Sequence, residues 1–295
     1  MLIFERFYAG AGWIEIFILS VFAAFLMIKM LDKTQTEKWR NRTWLLFSIV
    51  FFSQLALGLM GFDKFLMTEK LHLPIPAMIL AGPIYRFEIS FMPILFLSTI
   101  ILTGPAWCSQ LCYFGAIDSA FANRNKTRKF SFKNMMLYKN VFLIVFILLV
   151  FLIRFFEFSL ENTIIFALIF ALIGISIMIA LSSRKGKMMH CIAYCPIGTL
   201  VNYLKFINPM RMYIDDECSN CMRCTKHCKY NALTKQDIAN KKPALTCTLC
   251  GDCVTVCHSN SIKYKLFKLS PETSRNIYLL ITIVVYVVFL GVARI

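Results

Sequence analysis

The apolar positions of this chain do not alternate. They run together in long stretches broken by polar segments. The stretches are Trp13 to Leu31, Trp44 to Gly61, Ile89 to Trp107, Leu137 to Phe158, Ile164 to Ser182 and Ile277 to Val292. A helix crossing a bilayer needs about 20 apolar residues, within a range of about 17–25. The pattern therefore predicts six transmembrane helices. Glu15 and Gln54 fall inside two of them, Pro93 marks a kink in the third, and Arg154 and Glu157 pair at i, i+3 near the end of the fourth. Pro74 to Tyr85 is apolar but short and rich in proline, so it reads as an interfacial or re-entrant segment.

Between the fifth and sixth stretches the pattern changes. Residues 210–265 are polar, rich in cysteine and free of long apolar runs. The expected fold is an all-α transmembrane bundle of about six helices with a small α+β insert. This divides the chain into a helical part at 1–209, the insert at 210–265 and a last helix within 266–295.

Composition supports the membrane reading. Apolar residues make up 58% and charged ones 16%, against roughly 25% charged in ordinary soluble domains. The first apolar run lacks the basic start and small-residue cleavage site of a secretory leader. The formal charge of +16 invites a nucleic-acid reading, but the distribution of charge excludes it. Segments 29–43, 115–139 and 182–275 hold 26 of the 32 Lys and Arg residues, and they alternate with the apolar spans. That bias is the positive-inside rule. It places both chain ends outside and every cysteine motif on the cytoplasmic side of a bacterial inner membrane. Residues 182–275 carry 15 basic against 6 acidic side chains, which suits an acidic soluble redox partner.

The twelve cysteines carry the chemistry. Cys218, Cys221 and Cys224 are spaced by three, with Cys228 four residues on, and Cys247, Cys250, Cys253 and Cys257 repeat that spacing. This is the pattern of two-cluster bacterial ferredoxins, in which the fourth cysteine of each run serves the other cluster. One 4Fe–4S cluster is expected on Cys218, Cys221, Cys224 and Cys257. The other is expected on Cys247, Cys250, Cys253 and Cys228. Structural zinc uses pairs of cysteines across a longer spacer, and a cytoplasmic disulfide framework is disfavoured by the reducing compartment. Lys229 and His258 stand where proline commonly follows the fourth cysteine, and Lys229 reads as a solvated charge.

The other four cysteines form two pairs at the membrane edge. Cys108, Cys112 and Gly115 recur 83 residues later as Cys191, Cys195 and Gly198. Each triplet follows two apolar spans, which suggests two parallel halves related by an axis along the membrane normal. On a helix the i, i+4 spacing puts both thiols of a pair on one face. Four thiolates are a sufficient ligand set for a further iron–sulfur centre. The glycines would permit close backbone approach.

Trp107-Cys-x3-Cys112, the Cys191-x3-Cys-Pro196 copy and the following two-cluster insert resemble the NapH- and NosR-type membrane polyferredoxins over roughly residues 44–262. Tyr113 departs from the proline usual there. The resemblance implies an electron-transfer subunit that exchanges electrons with quinone or with a membrane or periplasmic oxidoreductase. Copper reductases of oxidase assembly share the motifs, so metal reduction is one alternative function and redox sensing another. The four histidines, His72, His190, His227 and His258, offer no pair within the spans, so no membrane haem is expected. Asp63, His72, Arg86 and Glu88 gather near span ends on the outer side and form the candidate quinone and proton site.

Overall fold

The computed structural model describes residues 2–65, 73–88, 91–125 and 134–292. Among these, six helices are long and apolar enough to cross a membrane. They are α1 (Gly12–Leu31), α2 (Thr36–Leu59), α3 (Phe91–Thr103), α4 (Met135–Phe155), α5 (Leu160–Ile177) and α6 (Pro271–Val292). Helical structure continues past α3 to Leu111 and past α5 to Lys185, which lengthens both spans. α2 begins at Thr36, ahead of its apolar run, because Thr36–Arg42 continues the helix into the polar layer.

Leu26 and Met30 of α1, Phe47 of α2, Phe96 and Ile100 of α3, and Leu279 and Ile283 of α6 share one core. In a bilayer lipid is as apolar as leucine, so van der Waals fit and interhelical hydrogen bonds hold such helices. One such bond runs from the Tyr286 hydroxyl to the Thr43 carbonyl at 2.8 Å. α4 buries least, and α5, level with α1, buries little more. Their outward Ile144, Leu148, Leu168 and Leu172 stay exposed, a surface suited to lipid rather than water.

Ile75, Ala77 and Ala81 of the proline-rich segment pack against Phe146 and Val150 of α4, and a short helix covers Met78–Arg86. The expected Arg154–Glu157 pair does not form. Arg154 instead lies over the rings of Tyr85 and Phe87, at 5.9 and 6.0 Å from their centroids. The helix has ended by Glu157, whose φ is +48°, so the i, i+3 geometry is lost.

Segment 211–265 sits between α5 and α6. Strands β1 (Arg211–Ile214) and β2 (Ile262–Lys265) pair antiparallel, with Arg211 opposite Lys265 and Ile214 opposite Ile262. Met212, Ile214, Ile262 and Tyr264 point inward, in the alternation a half-buried strand requires. The pairing brings both ends of the segment together. Short helices at Arg223–His227, Lys235–Ala239 and Asp252–Thr255 complete it.

This segment is fastened to the neighbouring ends of the membrane-length helices. Beside it, Arg275 of α6 holds that helix to α1 by donating to the Leu31 and Met30 carbonyls at 2.9 and 2.7 Å. His227 Nε2 lies 2.6 Å from Glu37 Oε2. Arg40 of α2 reaches both Asp252 and the Ser109 carbonyl. Lys229 is fully buried, contrary to the solvated reading. Its Nζ sits 3.2 Å from Ser119 Oγ and 3.9 Å from Asp252 Oδ2, partners that come from distant parts of the chain.

Candidate metal centres

The cysteine runs of the insert share one backbone form. The second run repeats the first 29 residues later, and the left-handed residues repeat with it. Asn220 and Leu249 have φ of 52° and 56°, Met222 and Gly251 59° and 83°, and Asn231 and Asn260 52° and 49°. Such conformations cost energy in residues other than glycine, and their recurrence at matched positions marks two equivalent loops. A side chain on Gly251 would meet the Tyr264 hydroxyl at 2.8 Å.

The thiols group across the two runs. Burial pushes the Cys224 thiol up to about 11, and Cys257, Cys218 and Cys221 are the thiols that act on it. Burial likewise raises Cys253, and there the acting thiols are Cys250, Cys247 and Cys228. Cys257 therefore lies with the first three cysteines and Cys228 with the second three. Such thiols stay protonated until a metal displaces the proton. Cys221 is exposed, whereas the second group is enclosed by the membrane domain. Lys205 donates to the Leu245 and Cys247 carbonyls at 2.5 and 3.2 Å and ties down the second loop.

The membrane-edge pairs form differently from the expected α-helical face. Each occupies a π-helical turn, Trp107–Leu111 and His190–Tyr194. The turns close through Cys112 N–H to the Trp107 carbonyl at 2.8 Å and Cys195 N–H to the His190 carbonyl at 2.9 Å. The second cysteine leaves the turn and caps the next helix, with φ and ψ of −76° and 113° at Cys112 and −80° and 115° at Cys195. Tyr113 thus supports the same geometry as Pro196. Each capping sulfur accepts a backbone hydrogen bond at 3.4 Å, Cys112 from Gly115 and Cys195 from Gly198. A side chain on either glycine would press to 3.0 Å on a backbone oxygen, that of Cys108 or Cys191.

Cys108, Cys112, Cys191 and Cys195 line one cavity, together with Lys139, Tyr230, Asn202, Thr246 and Thr248. Asp118 braces the second turn. Its carboxylate accepts from Cys191 N–H at 3.0 Å and from Ser182 Oγ at 2.5 Å. Burial raises this carboxyl to about 6, and those donors hold it from rising further. Trp44 donates to the Cys112 carbonyl at 2.8 Å, and Tyr230 to the Cys108 carbonyl at 2.8 Å. Among the described residues no group of three or more His, Cys, Asp or Glu side chains is arranged to hold a single metal ion. A cluster distributes its four thiolates over several irons, one per iron in 4Fe–4S and two per iron in 2Fe–2S, so four cysteines spread around a cavity fit an iron–sulfur group better than one ion. Sulfur-directed N–H groups suit the same group, because they tune its potential.

The outer-side candidates are not gathered by the structure. His72 and the side chain of Asp63 lie outside the described residues. Arg86 and Glu88 are exposed, and no hydrogen bond or ion pair joins them. Sequence reasoning missed Arg40, Asp118, Lys139 and Tyr230. Only Lys139 left a signal, as an ionisable residue inside an apolar run.

A family described as a 4Fe–4S binding domain matches the chain twice, at residues 86–131 and 164–208. The two matches contain the two membrane-edge cysteine pairs, one in each. No curated protein and no solved structure matches the chain. Those two segments are similar to a 4Fe–4S binding domain, in a chain built largely of helices, six of which, among the described residues, are of membrane-spanning length.

Proposed function

We propose that this protein is an integral-membrane electron relay with three iron–sulfur centres in line. Cys218, Cys221, Cys224 and Cys257 hold the outermost 4Fe–4S cluster, at the exposed tip of the insert. Cys247, Cys250, Cys253 and Cys228 hold the second. Cys108, Cys112, Cys191 and Cys195 hold the third, at the membrane edge. The carrying observation is that Thr246 and Thr248, on either side of Cys247, line the same cavity as the four membrane-edge cysteines. Bound clusters supply one-electron chemistry. The protein's own residues set their order, exclude water and hold the three sites close.

Arg223 and Lys226 are exposed beside Cys221 and suit docking of an acidic soluble redox protein. At the other end the relay exchanges electrons with quinone or with a membrane or periplasmic oxidoreductase subunit. The charge bias supports an inner-membrane protein with its insert in the cytoplasm. The test is rapid-freeze electron paramagnetic resonance (EPR) of the anaerobic protein mixed with a reduced soluble ferredoxin. The insert signals should appear before the membrane-edge signal, and Cys250→Ala should delay the latter. A membrane-edge signal that develops unchanged in Cys250→Ala would overturn the linear relay.

A further inference from the structure

Lys139 is the fifth residue of α4 and is 3% exposed. A buried ammonium requires a nearby negative charge, since desolvating it alone is too costly. Other buried cations near these centres have conventional partners. Arg40 has Asp252, and Lys205 has the Leu245 and Cys247 carbonyls. Lys139 has neither a carboxylate nor a hydrogen-bond acceptor among the described residues. It lines the cavity of the membrane-edge cysteines, and its electrostatic partners are Cys195, Cys108 and Cys191. Among the described residues the carboxylate set on these cysteines is Asp118, which is committed to Ser182 and to the Cys191 backbone.

Four neutral thiols would leave this ammonium uncompensated. Four thiolates around an iron–sulfide core carry net negative charge in both usual redox states. We infer that Lys139 is the counter-charge of the membrane-edge centre and raises its reduction potential. The inference rests on reading the four cysteines as that centre's ligands. Reduction adds one electron and breaks no bond. The added negative charge lies opposite a fixed ammonium in a water-poor cavity, where attraction is weakly screened. Lys139 therefore favours the reduced state of the innermost site and draws electrons toward the membrane. It is a tuning residue and contributes no ligand.

The experiment uses the full chain, purified anaerobically in detergent, as wild type, Lys139→Met and Lys139→Arg. Iron is counted, and each centre is titrated by EPR against dithionite. Lys139→Met should keep its iron and shift only the membrane-edge signal to lower potential. The expected change is at least tenfold in the reduction equilibrium, 59 mV for one electron. Lys139→Arg should stay close to wild type. A Lys139→Met titration superimposable on wild type overturns the role of Lys139 and leaves the centre in place. A wild type without a third signal removes the centre itself, and this inference with it. Should Lys139→Met lose iron, pulsed EPR of the 15N-lysine-labelled wild type decides. A 15N coupling to the reduced membrane-edge centre, absent from identically labelled Lys139→Arg, supports the role, and its absence from wild type overturns it.

Discussion

Arg40 of α2 grips Asp252 with two nitrogens, Nε to Oδ1 at 2.8 Å and Nη2 to Oδ2 at 2.7 Å, while its Nη1 donates to the Ser109 carbonyl at 2.7 Å. Asp252 lies between Cys250 and Cys253, and Ser109 between Cys108 and Cys112. One guanidinium thus fixes the loop of residues 247–257 against the first π-helical turn. Removing one partner of a buried pair typically costs about 3–5 kcal/mol, because the other charge is stranded. Arg40→Met should lower the thermal midpoint of cluster bleaching, and the double variant Arg40→Met with Asp252→Asn should recover part of the loss. Equal midpoints in wild type and Arg40→Met would show that the pair does not hold the loop.

The same pair has a pH signature. Burial alone would raise the Asp252 carboxyl, but Arg40 and Lys229 hold it below the usual range. A depressed carboxyl stabilises the fold fully above its unfolded value, about 3.9, and that contribution fades as pH falls through the lower folded value. Acid unfolding of the metal-free protein below about pH 3.9 should be steeper in wild type than in Asp252→Asn.

The crossed grouping of the insert thiols gives a second test. Cys228 lies with Cys247, Cys250 and Cys253 although it is nearer Cys224 in sequence. Cys228→Ser should alter the EPR signal of the enclosed cluster, and Cys257→Ser that of the exposed one. The opposite assignment would mean that each run serves its own cluster.

Much of this was legible in the sequence, for physical reasons. A bilayer span needs only an apolar run of sufficient length, and each of the six runs overlaps a membrane-length helix, three of them lying wholly inside it. The two cysteine runs were legible because their spacing is local. Contacts between distant segments were not. Arg40 and Asp252 are 212 residues apart, and nothing near either one announces the other. Lys229 read as solvated because its neighbours in sequence are polar, yet Ser119 and Asp252 enclose it. The π-helical turns were also hidden, since i, i+4 spacing suits an ordinary helix equally well.

Asp118 offers a test of how the second turn is held. It has no counterpart in the second half, where the position 83 residues on is Val201. Removing it orphans the Cys191 N–H and the Ser182 hydroxyl, and an unmade buried hydrogen bond costs about 1–3 kcal/mol. Asp118→Ala should release iron from the membrane-edge site during dialysis while the insert signals persist. Uniform loss from all sites would instead indicate a general folding defect.

Topology can be tested independently of the clusters. Asn240 is exposed at the end of the helix Lys235–Ala239, on the insert. A cysteine introduced there should resist an impermeant thiol reagent in intact cells and react once the membrane is opened. Labelling in intact cells would place the insert outside and reverse the positive-inside reading.

The membrane-edge centre has its own arithmetic. Two four-iron clusters on the eight cysteines of the insert would account for about eight irons per chain. A third centre on Cys108, Cys112, Cys191 and Cys195 raises the count to about ten if it is 2Fe–2S and about twelve if it is 4Fe–4S. The two pairs arrive from separate halves of the chain, and the matched sulfur hydrogen bonds from Gly115 and Gly198 show that both are shaped alike. Neither pair alone can complete a four-ligand set, so loss of one cysteine from each should abolish the site. Iron and acid-labile sulfide should be measured on anaerobically purified wild type and on Cys108→Ala with Cys191→Ala. Wild type should exceed eight irons, and the double variant should fall to about eight with both insert signals intact. A wild-type value of eight that the double variant shares would leave the cavity without a centre, and electrons would then have to pass from the Cys247 loop directly to a partner at the membrane face.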